Sequence, residues 1–301
     1  VSGLGDVYKR QIKALAYQDQ VRVFVVDATQ AVAQAQQRHD TWHTATAALG
    51  RSLVATSLLA ASLKGSDRLN IQIQGSGPLG EINCDGDSQG AIRGYVKHPH
   101  VALELNQAGK IDVSGAVGLP GNLRVRKLSQ SGESFTGQVA LVSGELAEDF
   151  TYYLAASEQI PSAVGLSVLV NPDETVASAG GFLIQVLPDV KEETLQAIET
   201  NLQSLGNLSE QIDQAEHLEE LLAQLVGPDN YRVIHSQSIH FTCPCSKDRF
   251  AKAILALPPS DIQQMIEEDH QAEAVCHYCN ESYHYTQEEL EDLLDQALHG
   301  E

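Results

Sequence analysis

Four of the five cysteines lie in two short stretches near the end of the chain. FTCPCSKDRFAKAI (241–254) places Cys243 and Cys245 one residue apart, and AEAVCHYCNESYHY (272–285) places Cys276 and Cys279 two residues apart. Two close pairs separated by a short insert allow four thiolates to converge tetrahedrally on one zinc ion. The sequence therefore predicts one Zn²⁺ per chain, bound by these four cysteines, in a small module that gains little stability from its own core.

A shell of four thiolates leaves no open position at the metal, which favours a structural or regulatory site over a hydrolytic one. A zinc hydrolase needs a bound water beside a general base, and the deaminase signature of H-x-E with P-C-x-x-C is absent. Pro244 lies inside the C-x-C pair instead. His277, inside the second pair, is an alternative ligand, but four thiolates already complete the shell.

The single residue between Cys243 and Cys245 leaves two interpretations of the module open. Structural zinc sites usually separate paired cysteines by two to four residues, and a module that only holds the tail together is the simpler interpretation. A disulfide across one residue is strained and easily reduced, however, and zinc-bound thiolates are the species that an oxidant attacks. Oxidation that ejected the metal would remove the roughly 10–16 kcal/mol that zinc binding contributes to folding such a module. The module would then unfold.

The chain is strongly acidic, with 40 Asp and Glu against 19 Lys and Arg and a net charge of −21. This charge repels phosphate backbones and anionic lipid, which disfavours nucleic acid as a partner. Residues 186–242 alone carry ten acids against Lys191 and Arg232. The apolar stretch at 45–63 is interrupted by Arg51 and is too polar for a membrane span.

No signal peptide is recognisable at the start of the chain, so a cytoplasmic protein with free or metal-bound thiols is expected. Residues 1–11 (VSGLGDVYKRQ) lead into no clear element and are interpreted as a tag or assembly scar. Neither of the common phosphate-binding fingerprints occurs, which disfavours nucleotide binding.

The next region, 12–185, mixes two kinds of hydrophobic pattern. Strand-like alternation occurs at 21–29, 69–77 and 90–99, and a long helical pattern surrounds 31–64. Glycine-rich turns separate the short strands. The fold class predicted from these patterns is α+β, with an amino-terminal domain of mixed helices and layered sheets.

Residues 186–235 are predicted to form a helical linker of two amphipathic helices separated by Gly206 and Asn207. Each helix has one apolar stripe and is otherwise acidic or amidic, so it must pack against another surface to stay folded. Permanent docking on the core and conditional docking are both compatible with this pattern. Residues 236–301, which hold the four cysteines and an acidic helix at 287–298, form the predicted zinc-binding domain.

Residues 243–297 closely resemble the zinc domain of the redox-regulated holdase chaperones, the 33-kilodalton heat shock protein family. The similarity lies in CPCSKDRF, in the run MIEEDHQAEAVCHYCNESYHYT and in the acidic tail. Residues 75–98, 143–171 and 179–188 resemble the amino-terminal domain of the same family. The resemblance covers about 17–297, and paired motifs in this order are highly specific.

The resemblance implies a bacterial, cytoplasmic, ATP-independent chaperone of the stress response that is not an enzyme. Its reduced form would be a zinc-bound, inactive monomer. Oxidation would form two disulfides, Cys243–Cys245 and Cys276–Cys279, and would release zinc and loosen the linker. The oxidised chain would then dimerise and hold unfolding client proteins. The resemblance thus makes these four cysteines both metal ligands and redox-active thiols, and it implies neither nucleic acid nor membrane as a partner.

Two positions depart from the family pattern: His270 stands at an expected glycine, and Leu119 and Pro120 alter a glycine-rich turn. Two other functions remain as hypotheses. A thiol–disulfide oxidoreductase would need its Cys276-x-x-Cys279 motif at a helix start beside a thioredoxin-like βαβ unit, which the pattern does not show. A zinc-ribbon adaptor for nucleic acid is disfavoured by the excess of acids.

Three residues of the first region have simpler interpretations than a functional one. Cys84 lacks a partner cysteine nearby and is interpreted as a tolerated thiol that packs as a small apolar residue. The neighbours Trp42 and His43 are expected at a core-facing position of a helix.

The stretch GELAEDFTYY offers a pair of carboxylates for acid–base chemistry, but a helix start explains them as well. Glu145, Glu148 and Asp149 are expected to lie near the favourable end of a helix dipole. Tyr152 and Tyr153 are expected to alternate as in a strand.

Overall fold

The structure, a computed structural model, describes residues 11–299. The chain divides into two compact units between Thr242 and Cys243. The predicted α+β class is confirmed, because both helices and sheets are extensive. The segment interpreted as a tag or scar lies outside the described residues, apart from Gln11, which is buried and begins the first strand.

The described residues form thirteen strands and ten α-helices. The strands are β1 (Gln11–Ala16), β2 (Val21–Asp27), β3 (Arg68–Gln74), β4 (Glu81–Asp87), β5 (Ala91–Val96), β6 (Asn122–Leu128), β7 (Ser134–Ala140), β8 (Ser162–Val170), β9 (Val176–Val186), β10 (Tyr231–Gln237), β11 (His240–Phe241), β12 (Gln271–Val275) and β13 (Ser282–Thr286). The helices are α1 (Thr29–His39), α2 (His43–Ala60), α3 (Val113–Val117), α4 (Ala147–Ala156), α5 (Glu192–Ser204), α6 (Leu208–Gln214), α7 (Leu218–Val226), α8 (Lys247–Leu255), α9 (Pro259–Gln264) and α10 (Gln287–His299), with one π-helical turn at Met265–Asp269.

Two sheets of the first unit enclose the helix α2. One sheet has five antiparallel strands in the order β10-β1-β2-β9-β8, and the other has six strands in the order β11-β5-β4-β3-β6-β7. Strands β3, β4 and β5 alternate between buried and more exposed residues, as strands do when only one face meets a core. Helix α2 contacts strands of both sheets and is buried over nearly its whole length, so the main core lies between the sheets.

The linker helices cover the outer face of the five-stranded sheet. Helices α5, α6 and α7 bury Ile198, Ile212 and Leu222 in one cluster with Val23 and Ile184 of the sheet. Three helices form instead of the predicted two, because the chain turns again at 215–217. The apolar stripes predicted for this segment are therefore buried, and they hide an apolar sheet face that the sequence analysis did not anticipate.

The core-facing position expected for Trp42 and His43 is wrong. Trp42 precedes α2 at its N-cap position, is 47% exposed and lies beside the ring of His100, with 5.2 Å between the ring centroids. His43 is half-buried and is hydrogen-bonded through Nδ1 to the carboxylate of Glu174. The apolar face of α2 begins one residue later, at Thr44.

The strand expected at the two tyrosines is also wrong, because they lie in helix α4. Tyr153 is fully buried, whereas Tyr152 is 45% exposed. Asp149 is buried in the first turn and accepts three backbone N–H bonds at the start of the helix. Glu148 lies in the same turn, and Glu145 just before it is ion-paired with an arginine of α2. The helix-start interpretation of the carboxylates is thus confirmed, and the bonds of Asp149 to the backbone just before the helix favour a helix over the two-residue alternation.

The second unit, described over 243–299, has a small core of its own. Strands β12 and β13 form an antiparallel pair, and α8, α9 and α10 pack with them. Its apolar cluster of buried side chains consists of Ile254, Ile262, Tyr285, Leu290 and Leu293. A core of this size leaves a module marginally stable unless another constraint supplements it.

Candidate metal centre

The four cysteine sulfurs predicted to act together converge in the second unit. All four Sγ atoms lie within 4.8 Å of one another. Cys243 Sγ is 3.6 Å from Cys276 Sγ, and Cys245 Sγ is 3.3 Å from Cys279 Sγ. Sulfurs at the vertices of a tetrahedral zinc site, with Zn–S of about 2.3 Å, are about 3.8 Å apart. The cluster therefore has the donor set and the spacing to hold one metal ion.

The first pair of cysteines is fixed by the start of helix α8. Ser246 Oγ caps this helix by accepting the backbone N–H of Arg249 at 3.2 Å, and the Arg249 guanidinium donates to the backbone carbonyl of Pro244 at 3.2 Å. These bonds tie the segment that carries Cys243 and Cys245 to the first turn of α8.

The second pair lies in the hairpin loop between β12 and β13. The carbonyl of Cys276 accepts the backbone N–H groups of Cys279 and Asn280, at 3.3 and 2.7 Å, and the N–H of Cys276 donates to Glu281 at 2.9 Å. Asn280 closes the loop at φ 57°, a left-handed conformation that asparagine tolerates better than most residues. The oxidoreductase hypothesis required this motif at a helix start, and the structure contradicts that requirement.

Two histidines near the second cysteine pair, His270 and His277, are not among the clustered ligands. Among residues 11–299, the cluster of potential ligands contains the four thiols and not His277. His270 ends the π-helical turn just before β12 with φ 55°. A left-handed residue is where glycine is usually found, which explains why glycine was expected there, and histidine is among the side chains that visit this region.

Burial controls the ionisation of the two inner thiols. Cys276 and Cys279 are 6% and 3% exposed, and this burial raises the pKa of both thiols above the ordinary value. Backbone N–H groups of Tyr278 and Glu281 act in the opposite direction, because they stabilise the thiolates. A bound dication would supply the missing positive charge and keep all four sulfurs deprotonated.

A tyrosine that the sequence analysis did not single out touches the cluster. Tyr283 of β13 donates its hydroxyl to Cys245 Sγ at 3.1 Å, and this bond to the sulfur raises the pKa of Tyr283. The ring of Phe250 lies beside it, with 5.3 Å between centroids. Two residues further on, Tyr285 donates instead to the backbone carbonyl of Lys247 at 2.6 Å. In the sequence, the only sign that Tyr283 and Tyr285 act near the cluster is that they lie two residues apart, just after the second cysteine pair.

Replacement of Tyr283 by phenylalanine should weaken zinc binding by about 10- to 100-fold, the usual cost of losing an outer hydrogen bond to a metal ligand. The reason is that Cys245 Sγ loses its O–H donor while the ring and its packing remain. Competition with a chelator of known affinity measures the change. Tyr285→Phe is the matched control: it removes a hydroxyl from the same strand that does not contact sulfur, so its zinc affinity should stay within a few-fold of the wild type. Equal affinity in both variants would contradict the role of Tyr283.

A family model described as "Hsp33 protein" matches residues 9–286. The chain belongs to this family. The "33 kDa chaperonin" of Bacillus licheniformis is 50% identical over 285 residues, covering 95% of this chain and 98% of that protein. The protein of the same description from Bacillus subtilis is 50% identical over 286 residues, with 95% and 98% covered.

The fold agrees with that assignment. A crystal structure of the 33 kDa chaperonin of Thermotoga maritima, a heat shock protein 33 homolog, matches with a TM-score of 0.90 at 35% identity, covering 97% of this chain and all of that one. Membership of the Hsp33 family supports a chaperone function for the chain, and the resemblance stated from the sequence motifs is confirmed. The thiol cluster is a candidate for both metal binding and redox chemistry.

Two remaining features are independent of the cluster. Cys84 is fully buried in the main core, and burial raises the pKa of its thiol, so it behaves as the tolerated apolar residue that was expected. Within residues 11–299, no helix combines the length and the apolar character needed to cross a bilayer.

Proposed function

We propose that the chain is a bacterial, cytoplasmic, redox-regulated holdase that protects unfolding proteins from aggregation without ATP. In the reduced state it is an inactive monomer with one zinc ion on Cys243, Cys245, Cys276 and Cys279. Oxidation forms the disulfides Cys243–Cys245 and Cys276–Cys279, releases the zinc and frees the linker helices. The opened chain dimerises and binds clients. No catalytic residue takes part.

The convergence of four thiols in a unit with only a small core is the observation that carries this proposal. Zinc suits the site because thiolates are soft ligands and four of them close its tetrahedral shell. Without the metal, the core of the second unit is left to maintain the fold alone. The buried apolar faces of α5–α7 and of the five-stranded sheet are the surface that opening would present to clients.

The redox step balances with peroxide as the oxidant. Each pair of zinc-bound thiolates gives up two electrons and forms one S–S bond, while one hydrogen peroxide takes up these electrons and two protons from the solvent and becomes two waters. Two peroxides therefore convert four thiolates into two disulfides. Disulfide sulfurs carry no charge and are poor zinc ligands, so formation of the bonds and loss of the metal are coupled.

The pairing of the disulfides is a separate question, because the shortest S···S distances join Cys243 to Cys276 and Cys245 to Cys279. We favour the local pairs, since cysteines two or three residues apart stay close together when the module loses its fold, whereas the other pairing joins residues more than thirty positions apart and depends on that fold. Trypsin should distinguish the two arrangements, because Lys247, Arg249 and Lys252 lie between the motifs. Local pairs should give two separate peptides, each two hydrogens lighter than its reduced form. A single cross-linked species would exclude them.

An aggregation assay tests the function directly. The full chain is prepared reduced with zinc, and oxidised with peroxide under mild heat, and each form is mixed with a chemically denatured client diluted into buffer. Light scattering should fall to near the background with the oxidised form and stay close to the client-only level with the reduced form. Zinc release and dimer formation are followed in the same samples. Equal scattering with both forms after complete oxidation would overturn the proposal.

A further inference from the structure

The stretch 231–242, here called the strap, covers one edge of each sheet of the first unit. Strand β10 pairs with β1 at the edge of the five-stranded sheet, and β11 pairs in parallel with β5 at the edge of the six-stranded sheet. The last strap residue, Thr242, donates its backbone N–H to Ile92 at 3.0 Å. The next residue is Cys243, the first thiol of the cluster. The strap therefore joins the linker helices to the metal centre.

The strap pairs with both edges, but the pairing is shifted in β10 and short in β11. The register of β10 on β1 shifts between Lys13 and Ala14, and four successive residues of β10 are exposed. Val233 and Ile234 are each 41% exposed in spite of their apolar side chains. Strand β11 contributes only two paired residues. Bulges, charges and short strands are the devices by which proteins blunt an exposed edge, and here they also make the covering strand easy to displace.

The strap is held by few side-chain contacts at its beginning. Arg232 forms a two-pronged ion pair with Asp19 in the β1–β2 turn, but both side chains are more than half exposed, and such pairs contribute little to stability in water. Tyr17 donates its backbone N–H to Asn230 at 2.8 Å, just before the strap. When the segments on both sides unfold, the start of the strap is retained by these contacts and by the ladder that pairs Tyr231 and Arg232 with β1.

The edge beneath the strap is more regular than the strap itself. Strand β1 pairs with β2 without a shift from Gln11 to Ala16. Ala14 and Ala16 of β1 belong to the apolar face that α5–α7 bury. Once helices and strap leave, β1 would present a row of free backbone N–H and C=O groups next to an apolar face. An extended chain can add to such an edge by backbone hydrogen bonds, and its alternate side chains then extend the face.

We propose that the edge of β1 in the opened chain is the binding site for an extended client segment with apolar residues at alternate positions, which is added as a strand in place of β10. This inference rests on the proposed function and assigns that function a binding mode. Backbone hydrogen bonds do not depend on the client's sequence, whereas the apolar face selects for unfolded segments. One edge could thus accept many unrelated clients.

The test uses the full chain and a fluorescent peptide of alternating valine and threonine flanked by lysines. An edge-blocked version carries N-methyl groups on two adjacent central residues, which blocks pairing along both of its edges. The matched control carries the same two methyl groups at the terminal lysines. The oxidised chain should bind the parent and the control alike, and the edge-blocked peptide about tenfold more weakly or worse. The reduced, zinc-loaded chain should bind none of them.

Hydrogen exchange locates the site on the protein. In the oxidised chain, amides of β1 should exchange faster than in the reduced chain and should become slow again when the parent peptide is added. Strand β8 (Ser162–Val170), at the opposite edge of the same sheet, is the internal control and should show no change that depends on the peptide. Protection at β8 instead of β1 would overturn the proposal.

Three other outcomes are also decisive. In the first, the oxidised chain suppresses aggregation and yet binds the edge-blocked peptide as tightly as the parent. Clients then bind through side-chain contacts alone, so the β1 proposal is wrong and the holdase function stands. If the oxidised chain dimerises, protects its β1 amides without peptide and binds no peptide, the edge is occupied by a second copy and the proposal is equally wrong. If oxidation produces no suppression of aggregation, both proposals fail.

Discussion

The replacement Cys276→Ser should unfold the second unit of the reduced chain while the core between the two sheets stays intact. Cys276 is 6% exposed, lies 3.6 Å from Cys243 Sγ, and its backbone holds the hairpin loop that carries Cys279. A hydroxyl in place of the thiolate leaves three sulfur ligands, and the affinity for zinc falls steeply. Zinc binding contributes about 10–16 kcal/mol to the folding of comparable modules, far more than the small core of this unit supplies.

Three measurements on the reduced variant check this expectation. Zinc per chain should drop from about one to near zero after dialysis against a mild chelator. Far-UV circular dichroism should show a loss of helix matching α8–α10, and exchange should become fast across 243–299 but stay slow in α2. Removal of zinc from the wild-type chain with a strong chelator should have the same effect and should be reversed by adding zinc.

Cys84→Ala is the control for cysteine loss as such. Cys84 is fully buried in the main core of the first unit and is not one of the clustered thiols, so this variant should keep one zinc per chain and a folded second unit, whatever it costs the core. If Cys276→Ser stays folded over 243–299 without metal, zinc is not what maintains the second unit, and the redox switch loses its physical basis.

The sequence predicted the thiol cluster well because its evidence is local. Two spacings, C-x-C and C-x-x-C, are enough to indicate a four-sulfur site, and the donor chemistry does not depend on the remaining fold. The amphipathic stripes of the linker were predicted for the same reason, since a period of 3.6 residues is visible within ten or so residues. Their partner was not predictable, because the face formed by Val23, Val25 and Ile184 is assembled from strands far apart in the chain.

The strap shows where sequence patterns lose their predictive power. YRVIHSQ has no clean alternation, and its pairing with QIKALA depends on a register between segments separated by more than two hundred residues. Strand propensity reflects such neighbours more than the residues themselves. Local patterns likewise failed at Tyr152 and Tyr153, where the buried Asp149 and its backbone bonds impose a helix on a short alternation. Contacts between distant segments determine the pairing of β10, and the backbone bonds of Asp149 favour the helix at Tyr152 and Tyr153; neither is visible in a local sequence pattern.

Replacement of Leu222 by aspartate should activate the chaperone without any oxidant. Leu222 of α7 is fully buried in the cluster between the linker helices and the sheet. Truncation of a buried leucine alone costs about 2–5 kcal/mol, and an unpaired buried carboxylate adds a further penalty. Isolated helices of this length are marginal in water, so α5–α7 should detach and unfold rather than stay docked.

Light scattering of a denatured client measures the result under reducing conditions with zinc present. The Leu222→Asp chain should suppress aggregation to an extent approaching that of the oxidised wild type, while it keeps one zinc per chain. Gln224→Asp is the matched control: it adds the same charge to the exposed side of the same helix and should remain inactive when reduced. Exchange rates over 192–226 show directly whether the linker has opened.

The variant also separates the two interpretations of the linker. If docking is conditional, a lesion at Leu222 frees the helices and leaves the core between the sheets folded, because that core is a distinct cluster built around α2. If docking is permanent, the same lesion unfolds the whole first unit, and the milder Leu222→Ala then lowers its melting temperature without producing activity. If hydrogen exchange shows that the linker has opened but the variant does not suppress client aggregation, the buried faces of α5–α7 and of the sheet are not the client surface.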